Sequence, residues 1–329
     1  MNIFNILVRA FCWFYAWINQ MFIIRLFTFP GLIIALSAII KNNGIFSYGK
    51  GCSIGKDSIV NIPKTWKFEL GNRCYIGRYV EIGVESGIKI WNNTSIQDRN
   101  ILLGDISIGS HCLFAPNVYI SSGRHYFDMN PTWLIKDQDQ YVVNNEELSR
   151  VHSKSVTIED DCWIGINSVI MSWITIGKGS VIGANSVVTK NIPPYSVVAG
   201  VPARVIKKRL EFFPPQSITY DNPNDIPYFY SGFEVSRKFQ QENHIYQWYM
   251  AQEVFIISLD GSKGDLIHII IKTITSSKIE VNCFNQNKEI SDKFEEIVFK
   301  KPTSSEWSMF TFSVSSKWTQ VIVKKAWIS

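Results

Sequence analysis

Six aliphatic residues recur at one interval: Ile158, Ile164, Ile170, Ile176, Ile182 and Val188, each six places after the last. An α-helix repeats every 3.6 residues and a two-sided strand every two, so neither explains this spacing. A period of six fits a short strand, a corner, and a return to the same inward direction. Three such strands close one triangular coil, and the aliphatics stack down its axis. Small residues follow four places behind most of them, at Cys162, Ser168, Ser180 and Ser186, and suit the tight space beside a corner. Glycine follows directly at Gly165, Gly177 and Gly183, where the expectation is that it lets the backbone turn without a Cβ clash. The chain is therefore read as mainly β, with a parallel β-helix of hexapeptide repeats.

The same phase appears upstream. Tyr48, Ile54 and Val60 open the first turns, and a break follows at Pro63-Lys64. Leu70, Ile76 and Ile82 resume, a two-residue insertion near Gly87 resets the phase, and Ile90, Ile96, Leu102, Ile108, Phe114 and Ile120 continue. The repeat amounts to roughly six or seven coils. Cys52, Cys74, Cys112 and Cys162 all fall in the small inward slot. They read as buried thiols of a reducing compartment rather than as disulfides.

Four regions follow. Residues 1–43 are apolar, broken at Phe29-Pro30 into pieces of about fifteen residues, short of the roughly twenty needed to span a bilayer. They read as two helices that cap the coil or touch a membrane surface through Trp13, Trp17, Arg9 and Arg25. No signal-peptide cleavage pattern follows them. Residues 44–208 form the β-helix, interrupted over 121–155 by a polar loop too long to be a mere corner. Residues 209–250 read as a helical run, Val205 to Phe213 at its start, and an aromatic-rich connector. Residues 251–329 alternate like strands and read as an antiparallel β-sandwich. Exposed aromatics among Tyr230, Phe233, Trp248 and Tyr249 could stack on sugar rings, although burial in a core is the commoner use of such residues. A net charge of +5 without a basic stripe suits a small anionic ligand or a membrane surface, not a nucleic-acid groove.

Particular stretches carry a resemblance. Phe114-Ala115-Pro116-Asn117-Val118, the loop holding His125, Cys162-Trp163-Ile164-Gly165, Val187 to Pro193, and Ala199 to Arg204 resemble the hexapeptide-repeat O-acetyltransferases. These include the maltose and galactoside enzymes and those that acetylate bacterial surface polysaccharides. The resemblance covers roughly residues 48–208. It implies a left-handed coil, a homotrimer with active sites between subunits, acetyl-CoA as co-substrate and no metal.

His125 matches the family's catalytic histidine, several residues after the Ala-Pro-Asn-Val stretch. The chemistry also wants a histidine there: a sugar hydroxyl must lose its proton to attack a thioester, and imidazole is the usual base. By matched position Trp163, Ile166, Ala184, Thr189, Lys190, Arg204 and Lys207 are the donor-binding residues. The three cations would face the phosphates of CoA, and the backbone N–H of Ile166 would hold the oxyanion. The family's acceptor-binding Asn and Asp are not matched cleanly. Ser95 and Leu103 occupy those alignments, and Ser95, Asp98 and Asn117 are the candidates for the saccharide acceptor. Direct acetyl transfer to a surface-polysaccharide sugar or its precursor is the leading function. An N-acyltransferase on a nucleotide-linked amino sugar and a non-catalytic sugar-binding scaffold are the alternatives. A zinc enzyme of the same fold would need three converging histidines, and His111 and His125 stand fourteen residues apart. The expected location is the cytoplasm, with peripheral contact at the inner face of the plasma membrane.

Overall fold

A computed structural model describes residues 31–145, 148, 155–238, 245–250, 254–273, 278–302, 309–315 and 321–329, with side chains of 234–238 and 245–250 left aside. The chain divides into two compact units, Met1–Leu210 and Glu211–Ser329.

The first unit is a three-faced solenoid. Face one stacks Leu32–Ile34, Cys52–Ile54, Tyr75–Ile76, Ser95–Ile96, Leu113–Phe114, Trp163–Ile164, Val181–Ile182 and Ser196–Gly200 in parallel. An antiparallel strand, Ala203–Lys208, closes that face. Face two carries Ile39–Asn42, Ile59–Ile62, the start of Glu81–Ile90 and of Ile101–Ile108, Tyr119–Ser121, Val169–Ile170 and Val187–Val188. Face three carries Ile45–Tyr48, Lys67–Leu70, the ends of the two long strands, Val156–Ile158 and Thr175–Ile176. Corner one follows face one, corner two follows face two, and corner three leads back to face one. The solenoid makes about eight turns, counted by the parallel strands of face one.

The inward residues form one continuous core. Ile54, Ile76, Ile96, Phe114, Ile164, Ile182 and Val198 line it from face one, each at most 1% exposed. The small slot does more than fill space. Cys52 Sγ donates to the Gly71 carbonyl at 2.9 Å, Cys74 Sγ to Trp91 at 3.0 Å and Cys112 Sγ to Glu159 at 3.1 Å. Ser58, Thr94 and Ser168 do the same with their hydroxyls, at 2.8, 2.7 and 3.1 Å. Each bond satisfies a corner carbonyl of the next coil, an acceptor that burial would otherwise penalise. The four thiols are free and buried, and burial pushes that of Cys112 well up.

The glycines turn out to serve a different purpose from the one expected. Left-handed backbone falls on the second corner residue, as at Arg73, Asn93, Asn117, Asn167 and Asn185, and not on Gly71, Gly77, Gly165, Gly177 or Gly183. A Cβ on Gly165 would instead stand 2.6 Å from the backbone nitrogen of Ala184. The glycines let consecutive coils approach. Backbone cannot yield as a side-chain tip can, so Gly165→Ala should cost about 1–3 kcal/mol. A denaturant melt that leaves the midpoint unchanged would refute this account.

Two expected boundaries move. Residues 31–43 are not helical: Leu32–Ile34 and Ile39–Asn42 are the first strands of the solenoid, paired with Cys52–Ile54 and Ile59–Ile62. A short apolar run fits helix or strand equally well by pattern, and here the otherwise unpaired edge of the coil supplies the partner. The remainder of the expected helices, residues 1–30, lies outside the described residues. Val205 to Phe213 is likewise not a helical run, because Ala203–Lys208 pairs antiparallel with Ser196–Gly200. The break at Pro63-Lys64 is a lengthened corner, with the Trp66 N–H donating to the Pro63 carbonyl at 3.1 Å. The shift at Gly87 is a bulge in Glu81–Ile90, which lies opposite the Gly104–Ile106 stretch of the neighbouring strand.

The second unit has two antiparallel sheets. One joins Phe233–Lys238, Ile245–Met250, Val321–Ile328, Leu266–Thr273 and Glu295–Lys300, with Ser217–Thr219 beside Val321–Ile328. The other joins Phe229–Ser231, Val254–Ser258, Met309–Val314, Ile279–Cys283 and Gln286–Ile290. Phe255 and Ile257 from one sheet and Ile267, Ile269 and Val323 from the other share a core. The expected connector therefore belongs to this unit from Glu211 onward, since its strands complete both sheets. Tyr230 and Phe233 are 2% and 8% exposed, which assigns them to the core and not to a sugar platform. Among the described residues no helix is long and apolar enough to cross a membrane.

Candidate active site

The polar loop leaves the solenoid at corner two. Ile120 is the last inward residue, and Ser122 stays in the stack: its N–H donates to the Leu103 carbonyl at 3.0 Å. Its hydroxyl accepts the Asp105 N–H at 2.7 Å. Gly104, at φ +106°, makes this seat, for a Cβ there would occupy the place of the Ser122 hydroxyl.

Beyond Gly123 the loop folds on a helix of its own, Ile135–Val143. Two adjacent residues of that helix organise it. Gln138 is 1% exposed, and its side-chain oxygen accepts the N–H groups of Met129 and Asn130 at 3.1 and 3.2 Å. Asp139 takes the other half: one carboxylate oxygen accepts the Tyr126 N–H at 2.8 Å, and the other stands 2.6 Å from Nδ1 of His125. The Tyr126 N–H first, and His125 second, hold the Asp139 carboxyl below its usual range. A depressed carboxyl contributes loop stability above the ordinary Asp range and loses it as pH falls through the depressed value. At neutral pH Asp139 is an anion and Nδ1 of His125 is its donor.

That fixes the imidazole tautomer. With the Nδ1 proton directed at Asp139, Nε2 carries a lone pair, and among the described residues nothing bonds to it. The His125 side chain is 83% exposed. A base held by a carboxylate, with its other nitrogen open to solvent, can take a proton from an incoming hydroxyl. Asp139 had no signal in the sequence, since it stands fourteen residues from His125 in a polar run.

The remaining predicted residues sort onto two edges. Thr189 and Lys190 follow Val187–Val188 and so share corner two with His125. Ser95, Trp163 and the terminal-strand residues Arg204 and Lys207 lie on face one. Asp98, Asn117, Ile166 and Ala184 lie at corner one. Among the described residues His125 bonds to none of this second group.

At corner one the first backbone N–H changes character along the stack. In an early coil the Arg78 N–H donates to Asp98 Oδ1 at 2.8 Å. The Pro116 position has no N–H. At Ile166 the facing residue of the next coil is Ala184, which has no acceptor side chain, and among the described residues this N–H meets none. Trp163 and Ile166 are exposed, as are Ala184, Thr189, Lys190, Arg204 and Lys207. Asp98 also bridges to Arg78 at 2.7 Å, and the Arg78 hydrogen bonds hold its carboxyl low. Asn117 donates to Asn167 at 3.2 Å, which donates to Asn185 at 3.0 Å, an amide ladder along the corner. Among the described residues no three His, Cys, Asp or Glu side chains gather as metal ligands would.

Comparison with known proteins adds to this geometry. Residues 155–190 match the family model described as bacterial transferase hexapeptide (six repeats). The chain is 35% identical over 156 residues to the galactoside O-acetyltransferase of Escherichia coli (strain K12), covering 47% of this chain and 63% of that protein. It is 34% identical over 149 residues to the Lactococcus lactis (strain IL1403) protein of the same name, covering 43% and 62%. It thus spans under two thirds of either relative. An E. coli (strain K12) protein with the provisional name lipopolysaccharide biosynthesis O-acetyl transferase WbbJ is 27% identical over 199 residues, covering 60% and 89%.

Proposed function

We propose, from the chain's likeness to the bacterial hexapeptide-repeat transferases, that it moves an acetyl group from acetyl-CoA to a hydroxyl of a surface-polysaccharide sugar or its precursor. The observation that carries this reading is the His125–Asp139 pair on a loop of the solenoid. In the proposed reaction Nε2 of His125 takes the hydroxyl proton as the oxygen attacks the thioester carbon. The tetrahedral oxyanion rests on the Ile166 N–H. The C–S bond then breaks, and His125 returns the proton to the departing thiolate. Acetyl passes directly, without an acyl-enzyme. Trp163, Ala184 and Thr189 would line the pantetheine arm, and Lys190, Arg204 and Lys207 would meet the CoA phosphates, for which cations with several donors are suited. Ser95 and Asn117 would face the acceptor, with Asp98 held in position by Arg78. The names of the two galactoside relatives and of the lipopolysaccharide relative support a sugar acceptor. The direct test is acetyl-CoA-dependent mass gain on purified saccharide acceptors; a saccharide panel that never gains acetyl would count against the reading.

The two-edge distribution supports a ring of three copies. His125 and Lys190 share one edge of the prism, whereas Ile166 and Ala184 lie on another, so a site needs corner two of one copy beside corner one of its neighbour. A left-handed coil and sandwich packing of the second unit's sheets complete the proposed architecture. Mixed assemblies test the sharing. Co-assembly of His125→Ala and Arg204→Glu chains should restore about a quarter of wild-type activity, because each half of a shared site is intact about half the time. No recovery in verified mixed trimers would mean that both residues act from one chain.

A further inference from the structure

The reaction leaves Arg124 without a role, although it directly precedes the base. The Arg124 guanidinium carbon lies 4.9 Å from the ring centre of Trp173 and 5.2 Å from that of Tyr126. Its Nη2 donates to Asp128 at 2.9 Å. The side chain is 26% exposed, against 83% for His125 beside it. The Arg124 Nε is buried and meets no hydrogen-bond partner among the described residues, a costly position for a charged donor unless the aromatic faces compensate.

Trp173 belongs to the coil, not to the loop. Tyr119 and Ile120 pair with Val169 and Ile170, so Trp173 stands on corner two of the coil that stacks against the loop's point of departure. Its backbone is left-handed, at φ 67°. A bulky side chain is a poor occupant of that conformation. Elsewhere in the stack the same left-handed position is filled by asparagine at Asn93, Asn117, Asn167 and Asn185, which tolerates it, and by larger side chains at Arg73, Tyr79, Arg99, His111 and Tyr195. A strained residue persists where its surroundings demand it. What sets Trp173 apart from an asparagine toward the loop is the ring face it offers to Arg124.

We infer that Arg124, clamped between Trp173 and Tyr126, is a positioning residue for His125. The clamp fastens the base of the loop to the next coil. The helix-borne Asp139 orients the imidazole itself. Two anchors, one on the preceding residue and one on the ring, define where Nε2 stands, which a loop held by one of them alone would leave loose. The inference rests on the acetyltransferase reading.

The decisive variant is Trp173→Asn in the full chain, because it suits the left-handed corner and removes only the ring. Thiol release from acetyl-CoA with a nitrophenyl galactoside as acceptor should show kcat reduced about tenfold or more, with KM for acetyl-CoA unchanged. The thermal midpoint should hold or rise. Arg124→Lys, which keeps the charge and loses the planar stack, should fall between wild type and Trp173→Asn. In a His125→Ala background Trp173→Asn should cost nothing further. Hydrogen exchange of the Tyr126 amide, protected by Asp139, reads the clamp without any acceptor. It should speed up in Trp173→Asn and Arg124→Ala, while strands Tyr119–Ser121 and Val169–Ile170 keep their protection. Wild-type turnover with an unchanged Tyr126 amide in Trp173→Asn would overturn the clamp. So would a fall in the thermal midpoint that accounts for the whole loss of activity. If wild type itself fails to acetylate any saccharide, the acetyltransferase reading fails, and the exchange measurement still decides whether the clamp exists.

Discussion

His125→Ala should lower turnover by about a hundredfold or more, since a positioned general base commonly contributes that much. Acetyl-CoA should bind to the variant as to wild type by calorimetry, because the proposed donor residues are on other elements. Asp139→Asn keeps the shape of its side chain and loses the charge that fixes the His125 tautomer, so it should cost less than removing the base. The two changes together should be no worse than His125→Ala alone, for Asp139 acts only through the imidazole. A His125→Ala enzyme that keeps a near-wild-type rate would remove this residue from the chemistry. An acetylated Ser or Cys accumulating in intact-mass spectra would replace direct transfer with a two-step route.

Phe114→Ala should destabilise the solenoid by about 3–5 kcal/mol, the range for an aromatic ring deleted from a packed core. The ring is 1% exposed and stacks in register between Ile96 of one coil and Ile164 of the next. The coils on either side are tied to the strands above and below and cannot collapse freely into the space. Each coil also depends on its neighbours for an interface, so damage at one level spreads along the stack. Domains commonly have only about 5–15 kcal/mol of stability to lose. Denaturant unfolding followed by circular dichroism would measure the change; a loss below about 1 kcal/mol would mean that the core can repack around the gap.

The solenoid was legible because its period is a local property, restated every six residues within each run between Ile54 and Val188. The buried thiols were legible for the same reason, because Cys52, Cys74, Cys112 and Cys162 keep the phase of the serines around them. His125 stood out by where it falls, just past the last repeat before a long loop. What stayed hidden was decided by partners distant in the chain. Leu32–Ile34 and Ile39–Asn42 are strands because coil 52–62 offers them an edge. The glycines are needed by the coil above and not by their own corner. Asp139 meets His125 only after the loop has folded back through Gln138. Arg124 finds Trp173 across a gap of forty-nine residues in sequence.

Ser122 is anchored under Leu103 before the loop departs, and Val156 is paired with Ile106 as it returns. Both splice points are therefore closed by an earlier coil that never sees what lies between them. Chain-closure entropy grows only slowly with length, so such a segment can be exchanged for a longer or shorter one at little cost to the stack. The solenoid behaves as a fixed socket and residues 123–155 as its cartridge. Transplanting the cartridge together with the coil residue Trp173 between proteins of this architecture should transplant the proposed base and the surroundings that would greet the acceptor, while the proposed donor residues on face one and corner one remain as they were.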